Sequence, residues 1–600
     1  MKTRTLAFLV TLLLAAMATL QSASAITVNS TADPTESGKT TLRDALASAA
    51  DGDTINFSVT GTITLTSGEL LVNDSITISG PGASTLAVNG NAANRVFHIA
   101  SGKTVTISGL TITNGQTSGS FPNDSGGGIY NDAATLTLSN CTVSANSATF
   151  GGGIYNFGEG PGSASLTVSN CTVSANSGAN GAGIYNDGES DGSATLAISN
   201  STLSGNSATS AGGGIYNDGT FAGNAALTIN NSTLNGNSAL SFGGGIYNNG
   251  APGPPSNPGS ATLAISNSTL SGNSATSAGG GIYNSSRDIS PAVLTLSNTT
   301  LSGNSAVSGG GIYNEASAGF VLGPARATLT ISNSTLSGNS ASGFGGGIYN
   351  FAFQDRSAAR ATITNSTLSG NSGANGAGIY NFAQFTGQAA VTIAETILKA
   401  GASGANIVND SGIIISLGHN LSSDDASAFL NANGDQNGAD PLLGPLQDNG
   451  GSTFTHALLT GSPAIDAGAP PLDFDQRGPN FARVVNGRID IGAFEVQGTQ
   501  TSIPPAAPIA TNATGVTNNN FTANWNSVSN ATGYRLDVAK NSSFKGGSFV
   551  AGYHNLNVGN VTSRFVGGLS ANTTYYFRVR AFNSNGVSPS SNVITVTTSP

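Results

Sequence analysis

The stretch Leu196–Asn217, LAISNSTLSGNSATSAGGGIYN, decides the fold. It contains two strings that recur along the chain. The first, GGGIYN or GAGIYN, begins at Gly126, Gly151, Gly181, Gly212, Gly243, Gly279, Gly309, Gly345 and Gly376, at spacings of 25, 30, 31, 31, 36, 30, 36 and 31 residues. The second, N-[SCT]-T-[LV]-S-[AG]-N-S or close to it, begins at Asn140, Asn170, Asn200, Asn231, Asn267, Asn298, Asn333 and Asn365. Self-similarity at such a period marks a solenoid, in which each repeat is one supersecondary unit.

Inside each unit the apolar period is two. Leu136, Leu138, Cys141 and Val143 alternate with Thr and Ser, with a corner near Asn140. That is half-buried strand, and Gly, Ser, Thr and Asn are poor helix formers. Each unit therefore reads as one coil of about three short strands and three corners. A lone coil cannot bury its inward side chains, so coils stack about 4.8 Å apart with parallel hydrogen bonding. The expected fold is all-β: a right-handed parallel β-helix of about a dozen coils. Identical residues then lie over one another. Asn140, Asn170, Asn200 and their successors are expected to form an amide ladder along one corner, where Asn tolerates the left-handed backbone a sharp turn requires. Cys141 and Cys171 share one register position, filled by Ser or Thr in later coils. A disulfide between coils is one reading; an inward ladder of small side chains is preferred.

Composition bounds the function. Of 600 residues only 8% are charged, about a third of the usual share, and net charge is −10. Nucleic-acid binding needs clustered Lys and Arg, and none is present. Two Cys and four His exclude a Cys/His zinc cluster. Lys2 and Arg4, the apolar run Leu6 to Leu20 and Ala23-Ser24-Ala25 read as a signal peptide over 1–25. The alternative, an anchor, needs about 20 apolar residues, and no later stretch could span a bilayer. The protein is thus expected to be secreted or at the cell surface, and monomeric.

The paired G-G-x-I and x-x-x-N elements between Ser125 and Ala400 resemble the repeats of chlamydial polymorphic outer-membrane proteins and related bacterial β-helix surface proteins. Here Leu203-Ser-Gly-Asn206 and its equivalents replace F-x-x-N. The autotransporter barrel of those proteins is not expected from this sequence. Residues 26–125 read as an N-terminal cap and first coils. Thr41-Leu-Arg-Asp-Ala-Leu-Ala47 is a short helix, N-capped by Thr40 or Thr41, and resembles the L-R-E-A capping helix of secreted β-helix proteins. The repeat array occupies 126–400.

Residues 401–498 hold the final coils and a segment with Asp440-Pro-Leu-Leu-Gly, Ser462-Pro-Ala-Ile-Asp466, Asp475-Gln-Arg-Gly478 and Asp490-Ile-Gly-Ala-Phe-Glu495. This set resembles the choice-of-anchor Q domain. Its acidic residues could suggest calcium sites; the preferred reading is a polar cap in which Arg477 pairs with Asp466 or Asp490. A Pro-rich linker spans 499–507. In 508–600, Trp525 and Leu569-Ser-Ala-Asn-Thr-Thr-Tyr575-Tyr-Phe577-Arg-Val579 resemble the fibronectin type III signature, with Tyr575 as its tyrosine-corner residue.

Parallel β-helices also host polysaccharide lyases and hydrolases. From Gly126 to Ala394, however, there are nine acidic residues, four Arg, no Lys and no His, nearly all in insertions after Tyr-Asn. Asp132, Asp187, Asp218 and Glu315 share the position after Tyr-Asn, but their spacing is not expected to yield a carboxylate pair. No catalytic residue or cofactor is assigned. The insertions emerge on one edge. There Phe157, Phe221, Phe351, Phe353, Phe382 and Phe385 either stack on sugars or fold back over the solenoid. The preferred function is a rigid structural or adhesive surface protein whose edge contacts extracellular glycans or other surface ligands; the alternative is a polysaccharide lyase or hydrolase.

Overall fold

A computed structural model describes residues 23–600 except 159, 161, 253–257, 320–322, 470–472, 486, 498–504, 529–530 and 584–585. The expected signal peptide falls outside the described residues except at its last three positions, and the expected linker does so over 499–504. The chain forms two compact units, residues 1–496 and 497–600.

The first unit is a parallel β-solenoid. A 14-stranded ladder runs from Ala25–Val28 to Ile413–Ser416, and a 12-stranded ladder from Leu70–Val72 to Ile407–Asp410. A third ladder runs from Gly61–Thr64 to Leu421–Ser422. A short fourth ladder, beginning at Ser177–Asn180, adjoins it in the central coils. Twelve strands at about 4.8 Å make a rod on the order of 55 Å long. Like residues pair with like: Ile154, Tyr155 and Asn156 lie opposite Ile184, Tyr185 and Asn186. The alternation seen in the sequence places Leu136, Leu138, Val143 and Ile129 inward, within one continuous core from Val28 to Leu430.

Both ends of this core are covered. The helix Leu42–Ser48 has a complete capping box, Thr41 with Asp44, and buries Leu42, Ala45 and Leu46 against the first coils. At the other end Ala426, Phe429 and Leu430 pack on the last coils. A sheet end left bare would offer unpaired N–H and C=O groups to other chains.

The corner asparagines adopt the left-handed backbone expected of them, with φ of 48–53° from Asn140 through Asn365. Their amide ladder is only partial: among the described residues Asn231 bonds Asn200, Asn298 bonds Asn267 and Asn333 bonds Asn298. The continuous ladders are elsewhere, and both are buried. The Asn of Ile-Tyr-Asn forms one: from Asn131 to Asn409 each Nδ2 donates to the next coil's Oδ1 at 2.7–2.8 Å. The last Asn of the second string forms the other, Asn146 through Asn371, at 2.9–3.0 Å. These outcompete the corner ladder because their side chains point inward, where water cannot satisfy an amide.

Cys141 and Cys171 are free and buried. The Cys141 N–H points at Cys171 Sγ, 3.3 Å away, and the Cys171 N–H donates to Ser201 Oγ at 3.0 Å. Ser201, Ser232 and Ser268 continue the pattern, so the position is the inward ladder of small side chains.

The glycine triplet does two jobs. Gly212 has φ +67°, which a side chain would strain. A Cβ on Gly213 would lie 2.3 Å from the Ser238 carbonyl oxygen. Two coils carry Ala at this middle position, Ala182 and Ala377, and in both the residue after the coil's preceding Ser is Gly178 or Gly373 where the GGG coils from Gly151 onward have Ala. A methyl group is thus exchanged between the two positions, and a Cβ on Gly178 would lie 3.6 Å from Ala182 Cα.

The segment 440–496 is not a set of further coils. It is a strap over the outer face of the third ladder. Gln476 accepts from Thr335 Oγ1 at 2.6 Å and donates to Thr300 and Thr453 Oγ1 at 2.9 Å; Ser337 bonds His456, and the Ala493 N–H bonds Thr367. Thr300, Thr335 and Thr367 are buried by it, whereas Thr202, Thr233 and Thr269 in the same column are half-exposed. Arg477 pairs with Asp475 (2.5 Å) and not with Asp466 or Asp490. The two residues are separated by one position on a tight turn, while Asp490 is engaged by the backbone N–H groups of Asp466 and Val496.

The second unit is an antiparallel sandwich. One sheet joins Ala510–Thr514, Asn520–Trp525 and Ser563–Gly567; the other is built on Gly533–Ala539 and Thr574–Asn583. Trp525, Tyr534, Leu536, Tyr575 and Phe577 form its core. Tyr575 OH accepts from the Ser570 N–H at 2.9 Å, the corner expected of it.

Candidate functional site

The 12-stranded ladder carries Ile-Tyr-Asn in every central coil. Strand alternation sends Ile and Asn inward and Tyr, with the residue after Asn, outward. The result is a column of tyrosines, Tyr130 to Tyr380, with successive ring centroids 4.7–5.6 Å apart. Each ring is at most 9% exposed, because its neighbours and the insertions cover it. Stacking at the coil repeat thus turns an outward face into a second apolar layer.

A polar row runs beside this column. Tyr155 OH donates to Asp187, Tyr185 OH to Asp218 at 2.6 Å and Tyr283 OH to Glu315. Asn249 bonds both Asp218 (3.0 Å) and Tyr216 OH (3.2 Å). Asp187 and Asp218 lie directly opposite each other on adjacent strands, which corrects the expectation that no carboxylate pair forms. The 31-residue step between them is one coil, so their shared position after Tyr-Asn places them in register. They are 1% and 5% exposed. Burial and mutual repulsion hold Asp187 well above the ordinary carboxylate range, and burial raises Asp218 to about 7. Tyr155, Tyr185 and Tyr216 are likewise raised by burial.

The six phenylalanines of the edge separate into different settings. Phe157 is buried on Tyr155. Phe221 is 44% exposed on a turn and makes no ring contact among the described residues. Phe351, Phe353, Phe382 and Phe385 come together. Phe351 and Phe382 stack at 5.4 Å and 18°, Phe353 meets Phe385 at 5.6 Å, and Phe385 is 65% exposed. Phe385 borders a cleft of about 400 Å³ with Gln354, Asp355, Arg356 and Gly319. A second cleft, of about 320 Å³, lies at Phe121, Phe150, Phe157, Tyr185 and Asp187. The sequence reading missed the tyrosine column and Phe121; the repeated Tyr of GIYN was the available signal. Among the described residues no group of three or more His, Cys, Asp or Glu is arranged to hold a metal.

Residues 506–597 match the fibronectin type III domain, and residues 200–218 and 267–285 match the Chlamydia polymorphic membrane protein repeat. A Kelch domain-containing protein of Saccharolobus solfataricus is 38% identical over 96 residues, which are 16% of this chain and 12% of that protein. The chain therefore spans about an eighth of that relative's length. Among solved structures, a human fibronectin type-III domain (26% identity, 17% of this chain, 94% of that one) and the FN5 domain of Drosophila Lar (21%, 16% and 98%) each give a TM-score of 0.14. A β-solenoid with surface-protein repeats and a fibronectin type III domain has the make-up of an extracellular structural or adhesive protein. Among the described residues no helix is long and apolar enough to cross a membrane.

Proposed function

We propose that this chain is an exported, cell-surface adhesive protein whose rigid solenoid presents a glycan-binding edge, with Phe351, Phe353, Phe382 and Phe385 as its contact platform. The observation that carries the reading is the exposed Phe385 ring beside a cleft rimmed by Gln354, Asp355 and Arg356. A sugar ring lays its apolar face on an aromatic face, and nearby polar side chains take its hydroxyls. The rod supplies length and fixes the platform, since each coil is held by its neighbours.

The test is retention of polysaccharides by the purified full chain, compared with Phe385→Ala. At least a tenfold loss of retention is expected. Failure to retain any glycan, or equal retention by the variant, rejects the reading. The Asp187–Asp218 pair, opposite each other on adjacent strands, favours a second reading, hydrolysis, because glycoside hydrolysis employs two carboxyl groups. Their oxygens are engaged by Tyr155, Tyr185 and Asn249 and both are buried, so the binding reading ranks first. Release of sugars in the same assay, abolished by Asp187→Asn, would reverse the order.

A further inference from the structure

The cleft at the N-terminal end of the edge differs in kind from the Phe385 platform. It lies six coils away, about 29 Å along the rod, and shares no residue with it. Tyr155 stacks on Phe157 and Tyr185, at 17° and 28°, and Phe121 and Phe150 stand across that stack. Phe121 stands at 73° to Tyr155 and 65° to Phe157, and Phe150 at 60° to Tyr185. Such rings wall a box, whereas Phe351 and Phe382 pave a flat surface. A flat sugar ring needs an open face; a rounded group is enclosed by faces at steep angles.

Among the described residues that line the box, the ionisable carboxyl groups are Asp187 and Glu189, and no Lys, Arg or His joins them. Asp187 lies in its floor and Glu189 at its rim. Asp218 backs Asp187 from the next coil. Among the described residues, neither Asp187 nor Asp218 has a Lys, Arg or His within ion-pair distance. Aromatic faces carry the negative side of the ring quadrupole, so walls and floor favour the same occupant, a cation. Rings cannot replace the tightly held water of a small metal ion. They can replace the loose hydration of an alkylated ammonium.

We infer that this cleft binds a quaternary ammonium group, seated against Phe121 and Tyr185 with Asp187 and Glu189 as its acidic lining residues. A cation there opposes the burial and repulsion that raise the Asp187 carboxyl, so binding energy and the stability of the carboxylate pair are linked. The inference is independent of the glycan reading, since it rests on other residues in other coils.

The experiment is calorimetric titration of the full chain with choline chloride, beside 3,3-dimethyl-1-butanol, its uncharged isostere. Saturable choline binding at one site is expected, with the isostere at least tenfold weaker. Phe121→Leu keeps an apolar side chain but removes the ring, and is expected to weaken choline binding at least fivefold. Glu189→Gln weakens it and makes it less sensitive to salt; Phe385→Ala leaves it unchanged. Phosphocholine and trimethyl-lysine, titrated in parallel, tell which carrier of the group is accepted, and binding of either supports the site. Equal affinity for the isostere, no saturable heat with any of the cations, or wild-type affinity in Phe121→Leu overturns the inference.

Discussion

Asn237 sits midway along the second buried amide ladder and is 0% exposed. Its Oδ1 accepts from the backbone N–H and Nδ2 of Asn206, at 3.1 and 2.9 Å. Its Nδ2 donates to the Leu203 carbonyl and to Asn273 Oδ1, both at 3.0 Å. Asn237→Ala removes all four bonds. The Asn206 N–H and the Leu203 carbonyl lose their side-chain partner, and two further amide atoms lose one of their two bonds. A buried group left unsatisfied costs about 1–3 kcal/mol, which puts the total near 4 kcal/mol. Asn231→Ala is the control. Asn231 is exposed at φ 48°, so its loss costs about 1–2 kcal/mol of left-handed backbone strain. Urea denaturation gives the totals. Hydrogen exchange locates the damage, which nearest-neighbour coupling confines to the coils on either side of Asn237. If Asn237→Ala loses no more than Asn231→Ala, or if exchange rises evenly along the rod, the ladder is not what fixes coil to coil.

Three further outcomes are expected. Asp218 has a raised carboxyl, faced by Tyr185, Asn249, Thr220, Asp187 and Glu189, and it titrates jointly with Asp187. The folded state keeps its proton up to about pH 7 while the unfolded chain releases it near pH 4. Stability therefore falls as pH rises through that window; Asp218→Asn should match wild type near pH 4 and exceed it by a few kcal/mol at pH 8, and a thermal midpoint that fails to diverge refutes this. Gly244→Ala forces a Cβ to within 2.3 Å of the Ser274 carbonyl oxygen and should lower the midpoint, with partial rescue by Ala239→Gly, which reproduces the pairing of Ala182 with Gly178; a double variant no better than the single refutes the methyl exchange. Gln476→Ala breaks the strap's bonds to Thr300 and Thr335 and should speed proteolysis within 440–496 several-fold while the GIYN coils stay resistant; unchanged cleavage would show that apolar contacts alone hold the strap.

Interactions that close within a few residues are legible in the sequence, and those between distant segments are not. Period-two alternation in Leu136-Thr-Leu138 and the fixed return of GIYN sufficed for parallel strands stacked coil on coil, because burial of alternate side chains admits no other register. Thr41 with Asp44 and Tyr575 with its corner were likewise legible, since each motif satisfies itself within a few residues. The expected corner ladder forms only in part, and the continuous amide ladders lie at other asparagines. The sequence repeats Asn140, Asn146 and Asn131 equally well, and only the path of the backbone decides which of them faces the core.

The sequence by itself therefore determined a repeat array with stacked identical residues, a capping helix and a separate sandwich, because those follow from periodicity and short-range patterns. Tertiary structure alone decided three things. It brought Asp187 and Asp218 together and buried them under tyrosines, gathered four of the six edge phenylalanines into one platform while boxing Phe157 with Phe121, and turned 440–496 back over the third ladder. Each joins residues from different coils or distant segments, and such contacts depend on where whole strands lie in space and not on the residues that flank them.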